Sequence, residues 1–174
     1  MKSNKNMKRL IAIFCAAVTL LFASCTVKYS LSGASIPPEA KTFSVAYFPN
    51  NAPLVAPILS ATLTDELTQR FATRTRLVQV PEGGDFAFEG EIIGYTSTTS
   101  SVSSGDYAIQ NRLTITVKVK FTNAIDDKMS YNKNFSAYAD YDSTRLLTEV
   151  EGELITEIVE QLVTDIFMSA AANW

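Results

Sequence analysis

The chain has 174 residues, with 15 Lys and Arg against 18 Asp and Glu, a formal charge of −3 and no histidine. An acidic chain is not built as a general nucleic-acid binder, which needs a basic face. Without histidine there is no Ser-His-Asp triad, and the commonest general base and metal ligand at neutral pH are both missing.

The chain opens with MKSNKNMKRL, which carries Lys2, Lys5, Lys8 and Arg9 and no acid. Leu10 to Phe22 is then apolar apart from Thr19, and Ala23 and Ser24 lead into Cys25. A basic start, a short apolar run and small residues are the layout of a secretory signal peptide, whereas a spanning helix needs about 20 apolar residues. The small pair before Cys25 resembles the lipobox of bacterial lipoproteins. Leu21 and Phe22 fill its large positions, with Phe22 where Leu is more usual. The resemblance implies removal of residues 1–24 and a diacylglycerol and an N-acyl chain on Cys25, which anchor the chain to a membrane. The plainer alternative is a signal peptide cut elsewhere, with Cys25 an incidental thiol.

Cleavage before Cys25 leaves 150 residues, enough for one domain with a real core. Four basic residues leave with the signal, so 11 basic face 18 acidic side chains, a charge of −7. Cys15 leaves too. An acylated Cys25 then permits no intramolecular disulfide, and packing alone must hold the domain.

Residues 25–40 are polar and broken by Gly33, Pro37 and Pro38, which reads as a lipidated tether before a single domain over 41–174. Lys41 to Phe48 alternates as a short strand, closed by the turn Pro49-Asn50-Asn51-Ala52-Pro53. Ala56 to Thr73 predicts a helix with Pro57 in its first turn and a stripe of Leu59, Leu63, Leu67 and Phe71, widened by Ile58. Arg70, Arg74 and Arg76 gather at its end, where the helix dipole favours cations. An anion site is the alternative reading. Leu77 to Val80 is a brief apolar step before Pro81-Glu82-Gly83-Gly84-Asp85.

Phe86 to Tyr95 predicts a strand with Phe86, Phe88 and Ile92 on one face and Glu89 and Glu91 on the other. Gly90 and Gly94 mark a bulge or a close backbone approach. Thr96 to Ile109 is rich in Ser and Thr and reads as a long loop, either functional or a plain hairpin tip. Leu113 to Phe121 alternates cleanly, Leu113, Ile115, Val117, Val119 and Phe121 against Thr114, Thr116, Lys118, Lys120 and Thr122. Met129 to Tyr141 is its antiparallel partner, with Tyr131, Phe135, Ala137 and Ala139 on one side. Thr148 to Ala170 predicts a long helix with a Thr148–Glu151 capping box and a wide stripe from Val150 to Phe167. The expected fold is α+β: a two-layer sandwich of a mainly antiparallel sheet of about four strands, with two helices on one face and the other face polar.

No catalytic constellation emerges. Gly83-Gly84 lacks the Lys-Ser/Thr of a phosphate-binding loop. The carboxylate pairs Glu89/Glu91 and Asp126/Asp127 lie on an exposed strand face and in a turn. Hydrolysis by either pair is the alternative to a solvated surface. Lys118 and Lys120 sit beside threonines, where they serve solubility or meet a phosphorylated lipid. A non-enzymatic binding or assembly role is what remains, with no metal and no cofactor beyond the acyl chains.

Several stretches together resemble the LptE family, the lipopolysaccharide-assembly lipoproteins of the outer-membrane translocon. They are GASIPPEAKTFSVAYFPNNAPLVAPILS (33–60), FEGEIIGY (88–95), NRLTITVKVKFTN (111–123), YADYDS with the following VEGELITEIVEQLVTDIF, and the closing Asn173-Trp174. The resemblance implies a chain anchored through Cys25 on the periplasmic side of the outer membrane. It implies a plug inside an LptD-type β-barrel, which the chain helps assemble, and lipopolysaccharide as a further partner. A wet, Thr-rich face suits the polar lumen of a large barrel. The candidate barrel- or lipid-facing residues are therefore Thr114, Thr116, Lys118 and Lys120 on the polar face, with Ser100 and Tyr107 in the loop. A generic adaptor lipoprotein of another envelope machine is the alternative.

Overall fold

The computed structural model describes residues 36–54, 56–100 and 110–171. The signal segment, Cys25, most of the tether, Tyr107 and Asn173-Trp174 lie outside the described residues.

The elements run β1 (Thr42–Val45), α1 (Leu59–Arg74), β2 (Val78–Gln79), β3 (Phe86–Ser100), β4 (Gln110–Asn123), a 3-10 turn (Asp127–Met129), β5 (Tyr131–Asp142) and α2 (Leu147–Ala171). One five-stranded sheet has the order β2-β1-β3-β4-β5. β3, β4 and β5 form the expected antiparallel meander. β1 lies parallel to both β2 and β3, so the sheet is mixed and five-stranded rather than mainly antiparallel with about four strands. The parallel β1–β2 pair is possible because α1 supplies the crossover that parallel neighbours require.

The α+β layering holds because the apolar stripes match. Leu59, Leu63, Leu67 and Phe71 of α1 and Val150 through Phe167 of α2 are buried in one cluster with the inward residues of the sheet. Phe71 is the meeting point. Its ring lies 5.8 Å from Phe43 of β1, 4.6 Å from Phe88 of β3 and 5.1 Å from Phe167 of α2.

Several boundaries differ from expectation. α1 begins at Leu59, and Ile58, outside the stripe, is 50% exposed. The residue before Pro57 is biased away from helical angles, which delays the first turn. The Thr148–Glu151 capping box does not form: Thr148 is already inside α2, and Glu151 accepts the Tyr95 hydroxyl at 2.6 Å. Burial and this carboxylate both raise the Tyr95 phenol's pKa. Thr96 to Ser100, expected in a loop, continue β3 and pair with Thr114 to Gln110.

Both glycine readings in β3 have a physical cause. The register shifts between Ile92 and Gly94, so Ile93 is the extra residue of a bulge. The shift moves burial from even to odd positions, which turns Tyr95 inward. At Gly90 a methyl group would overlap the Lys118 carbonyl oxygen and stand 2.5 Å from Cε1 of the buried Phe48 ring. Gly90→Ala should therefore push the Phe48 ring and strand β4 outward. The expected cost is about 1–3 kcal/mol, read as a drop in Tm of roughly 3–10 °C by thermal denaturation.

Candidate docking face

The side of the sheet away from the helices is built by period-two alternation in β3, β4 and β5. Each inward apolar residue leaves an outward polar neighbour. The register then decides which polar groups meet. Glu89 stands opposite Lys120, with Oε2 and Nζ 3.0 Å apart. Glu91 stands opposite Lys118, 3.7 Å away, and also accepts the Asn51 side-chain amide at 2.7 Å. With Pro49, Gly90 and Asn132 these four side chains line a shallow depression of about 290 Å³. An anionic group entering it meets two carboxylates beside its two ammonium groups.

Along the same strands the surface becomes uncharged. Gly94 pairs with Thr116 and Thr96 with Thr114, while the Thr116 and Ser136 hydroxyls are hydrogen-bonded at 3.1 Å. Beyond this hydroxyl strip Arg112 grips Asp140 with two N–H donors, at 2.7 and 2.8 Å, and its guanidinium covers the Tyr138 ring at 3.7 Å. The hydrogen bonds from Arg112 lower the Asp140 pKa and in turn raise that of Arg112. Ser100 ends β3 opposite Gln110, at the far end of this face.

Thr114, Thr116, Lys118 and Lys120 thus share one face, as their alternation required. Ser100 lies at its end, and Tyr107 and Cys25 fall outside the described residues. The lysines stand in ion pairs rather than in an open basic patch. Those same pairs take up Glu89 and Glu91, and Asp126 instead caps the 3-10 turn by accepting the Lys128 amide. The arginines after α1 also separate. Arg70 donates to Thr164 of α2 at 3.0 Å, Arg74 sits in the last turn, and Arg76 binds backbone carbonyls. The Arg112–Asp140–Tyr138 group escaped the sequence reading because Arg112 lies 26 and 28 positions from its two partners. Only the hairpin register, Arg112 opposite Asp140, would have revealed it.

Three aspartates have depressed pKa values. Asp85 is held low by the amides of Lys41 and Thr42, Asp140 by Arg112, and Asp142 by Thr144. A depressed carboxylate stabilises the fold above its unfolded pKa and loses that contribution as pH falls through the folded value. Thermal melts should therefore hold from pH 7 to about 5 and drop below about 4, near the ordinary carboxylate pKa. Asp85→Asn should melt lower at pH 7 and show a shallower acid decline. An unchanged decline would remove Asp85 from the account.

Among the described residues no three His, Cys, Asp or Glu side chains are grouped to hold a metal ion, and no helix is long and apolar enough to cross a membrane. A family model described as LptE, lipopolysaccharide-assembly, matches residues 40–169. The chain belongs to the LptE family. No curated protein matches it. Among solved structures, a hypothetical protein from Chlamydia trachomatis is similar at TM-score 0.51 and 11% identity, over 77% of this chain and 99% of that one. A minor lipoprotein from Acinetobacter baumannii is similar at TM-score 0.49 and 14% identity, over 75% and 94%. The rare lipoprotein B from Shewanella oneidensis follows at 0.40 and 13%, over 74% and 90%. At these identities the Chlamydia likeness shows a shared fold. The assignment to LptE, and with it to lipopolysaccharide assembly, rests on the family match.

Proposed function

We propose that this LptE-family member is an outer-membrane lipoprotein without turnover of its own. On this reading residues 1–24 are removed, Cys25 carries the acyl chains, and residues 25–40 tether a single domain over 41–174. The domain plugs an LptD-type β-barrel, helps it assemble, and assists delivery of lipopolysaccharide to the outer leaflet. The family match over 40–169 carries the proposal. The outer face of β3, β4 and β5 supports it, because Glu89–Lys120, Glu91–Lys118 and Asp140–Arg112 are paired across strands and its centre is a neutral hydroxyl strip. Such a surface enters a wet, polar lumen at a smaller desolvation cost than unpaired charges would. Lys118 and Lys120 are not assigned to the lipid, since each faces a carboxylate.

Affinity purification from solubilised outer membranes tests the partner: an LptD-type barrel should remain bound. Photocrosslinkers at Ser100, Thr116 and Thr122 should yield barrel adducts, and one at the buried Leu59 should not. Recovery of a different envelope complex, with no barrel, would favour a generic adaptor instead.

A further inference from the structure

The segment entering the domain is gripped by two side chains of opposite charge. Arg76, in the connection between α1 and β2, turns one guanidinium nitrogen toward the carbonyl oxygens of Ile36 at 3.2 Å, Pro37, and Ala40 at 3.4 Å. Asp85, in the turn before β3, accepts the Lys41 amide at 2.8 Å, the Thr42 amide at 2.9 Å and the Thr42 hydroxyl at 3.0 Å. The cation takes carbonyls and the carboxylate takes N–H groups, so residues 36–42 meet charge-assisted partners at both backbone poles. Ala40 is fully buried, and Ile36 packs against the core. β1 itself is only four residues long, so much of what holds this segment is the pair of charged side chains.

We propose that Arg76 and Asp85 form a clasp that makes one end of the sheet the membrane-facing end. That end bears the Pro81–Asp85 turn and the 3-10 turn, and the β3–β4 hairpin end is held away. The proposal rests on the reading of Cys25 as the acylated residue. Eleven residue steps separate Cys25 from Ile36, a reach of at most about 40 Å. The 15 residues of β3 extend about 50 Å from the clasp to Ser100. With the clasp closed, the anchor therefore holds the clasp end rather than the hairpin end. With it open, the 17 steps to Thr42 reach about 60 Å, and the two ends become comparable.

The test uses the full acylated protein in phosphatidylethanolamine–phosphatidylglycerol vesicles with a quencher on the headgroups. A fluorophore is placed through Lys128→Cys at the clasp end or Gln110→Cys at the hairpin end. Quenching should be at least threefold stronger at position 128. Arg76→Ala should bring the ratio toward one and speed hydrogen exchange at the amides of Ala40 to Ser44 at least tenfold, with α2 unchanged. If Arg76→Ala does not fold, Arg76→Lys, which loses the planar fork, should give an intermediate ratio. Equal quenching at both positions in the otherwise native chain overturns the orientation. An unaltered ratio in both the Arg76 variant and Asp85→Asn overturns the clasp. Failure of the protein to float with the vesicles instead overturns the anchor reading, and is scored separately by flotation.

Discussion

Phe71→Ala should destabilise the domain by about 3–5 kcal/mol and lower its Tm by roughly 10–20 °C. Phe71 is fully buried, and its ring is in contact with rings on β1, β3 and α2. Truncation would remove the transfer free energy of a whole aromatic side chain. It would also leave a cavity between the two layers, where three separate elements would have to move together to refill it. The three ring contacts add a further directional contribution, at roughly 0.5–1.5 kcal/mol per pair. Ile58→Ala, one residue before the same helix and half exposed, should change stability by less than about 1 kcal/mol. Urea or thermal unfolding of both variants checks the contrast. A loss below 1 kcal/mol for Phe71→Ala would show that the layers close without this ring.

Cys25→Ser, delivered behind a general secretory signal whose cleavage does not depend on the cysteine, should move the chain from the outer-membrane fraction to the periplasmic soluble fraction. Each buried methylene contributes about 0.8 kcal/mol, so two or three long acyl chains hold a protein on a bilayer where one is marginal. Among the described residues no helix is long and apolar enough to cross a membrane, and the exposed apolar side chains Leu54 and Leu146 lie in connections, Val78 in β2 and Met168 in α2. Fractionation with intact-mass measurement checks the outcome. Undiminished membrane retention of the unmodified chain in cells lacking the barrel would sink the anchor. Retention only when the barrel is present would show that the plug contact suffices.

Reading the chain alone succeeds where one residue's neighbours decide its place. Leu113 to Phe121 announces a strand with one wet face because period-two alternation is a local property of the pleat. The stripe from Val150 to Phe167 announces a helix for the same reason at period 3.6, and the position of Gly90 and Gly94 flagged the close approach and the bulge. The order of such stretches was enough to resemble the LptE family, which the family match over 40–169 bears out.

What the chain alone left open depends on partners far away in sequence. β2 is two exposed residues with no pattern of its own, and it becomes a strand only because β1 lies beside it. The bulge at Ile93 turns Tyr95 inward to Glu151, which takes that carboxylate from the cap where local spacing had put it. Lys118 and Lys120 look like a basic pair in the sequence and become half of two ion pairs in the fold, because strand register sets them opposite Glu91 and Glu89. Arg76 looks like a helix-end cation and instead holds the carbonyls of the incoming segment. Composition and periodicity determined the two helices, the core of strands β3 to β5 with their buried faces, and the acidic, histidine-free chemistry. The parallel edge, the charge pairing of the outer face and the clasp were decided by tertiary structure, since a charged or polar group takes whichever partner the packed backbone brings within about 3 Å.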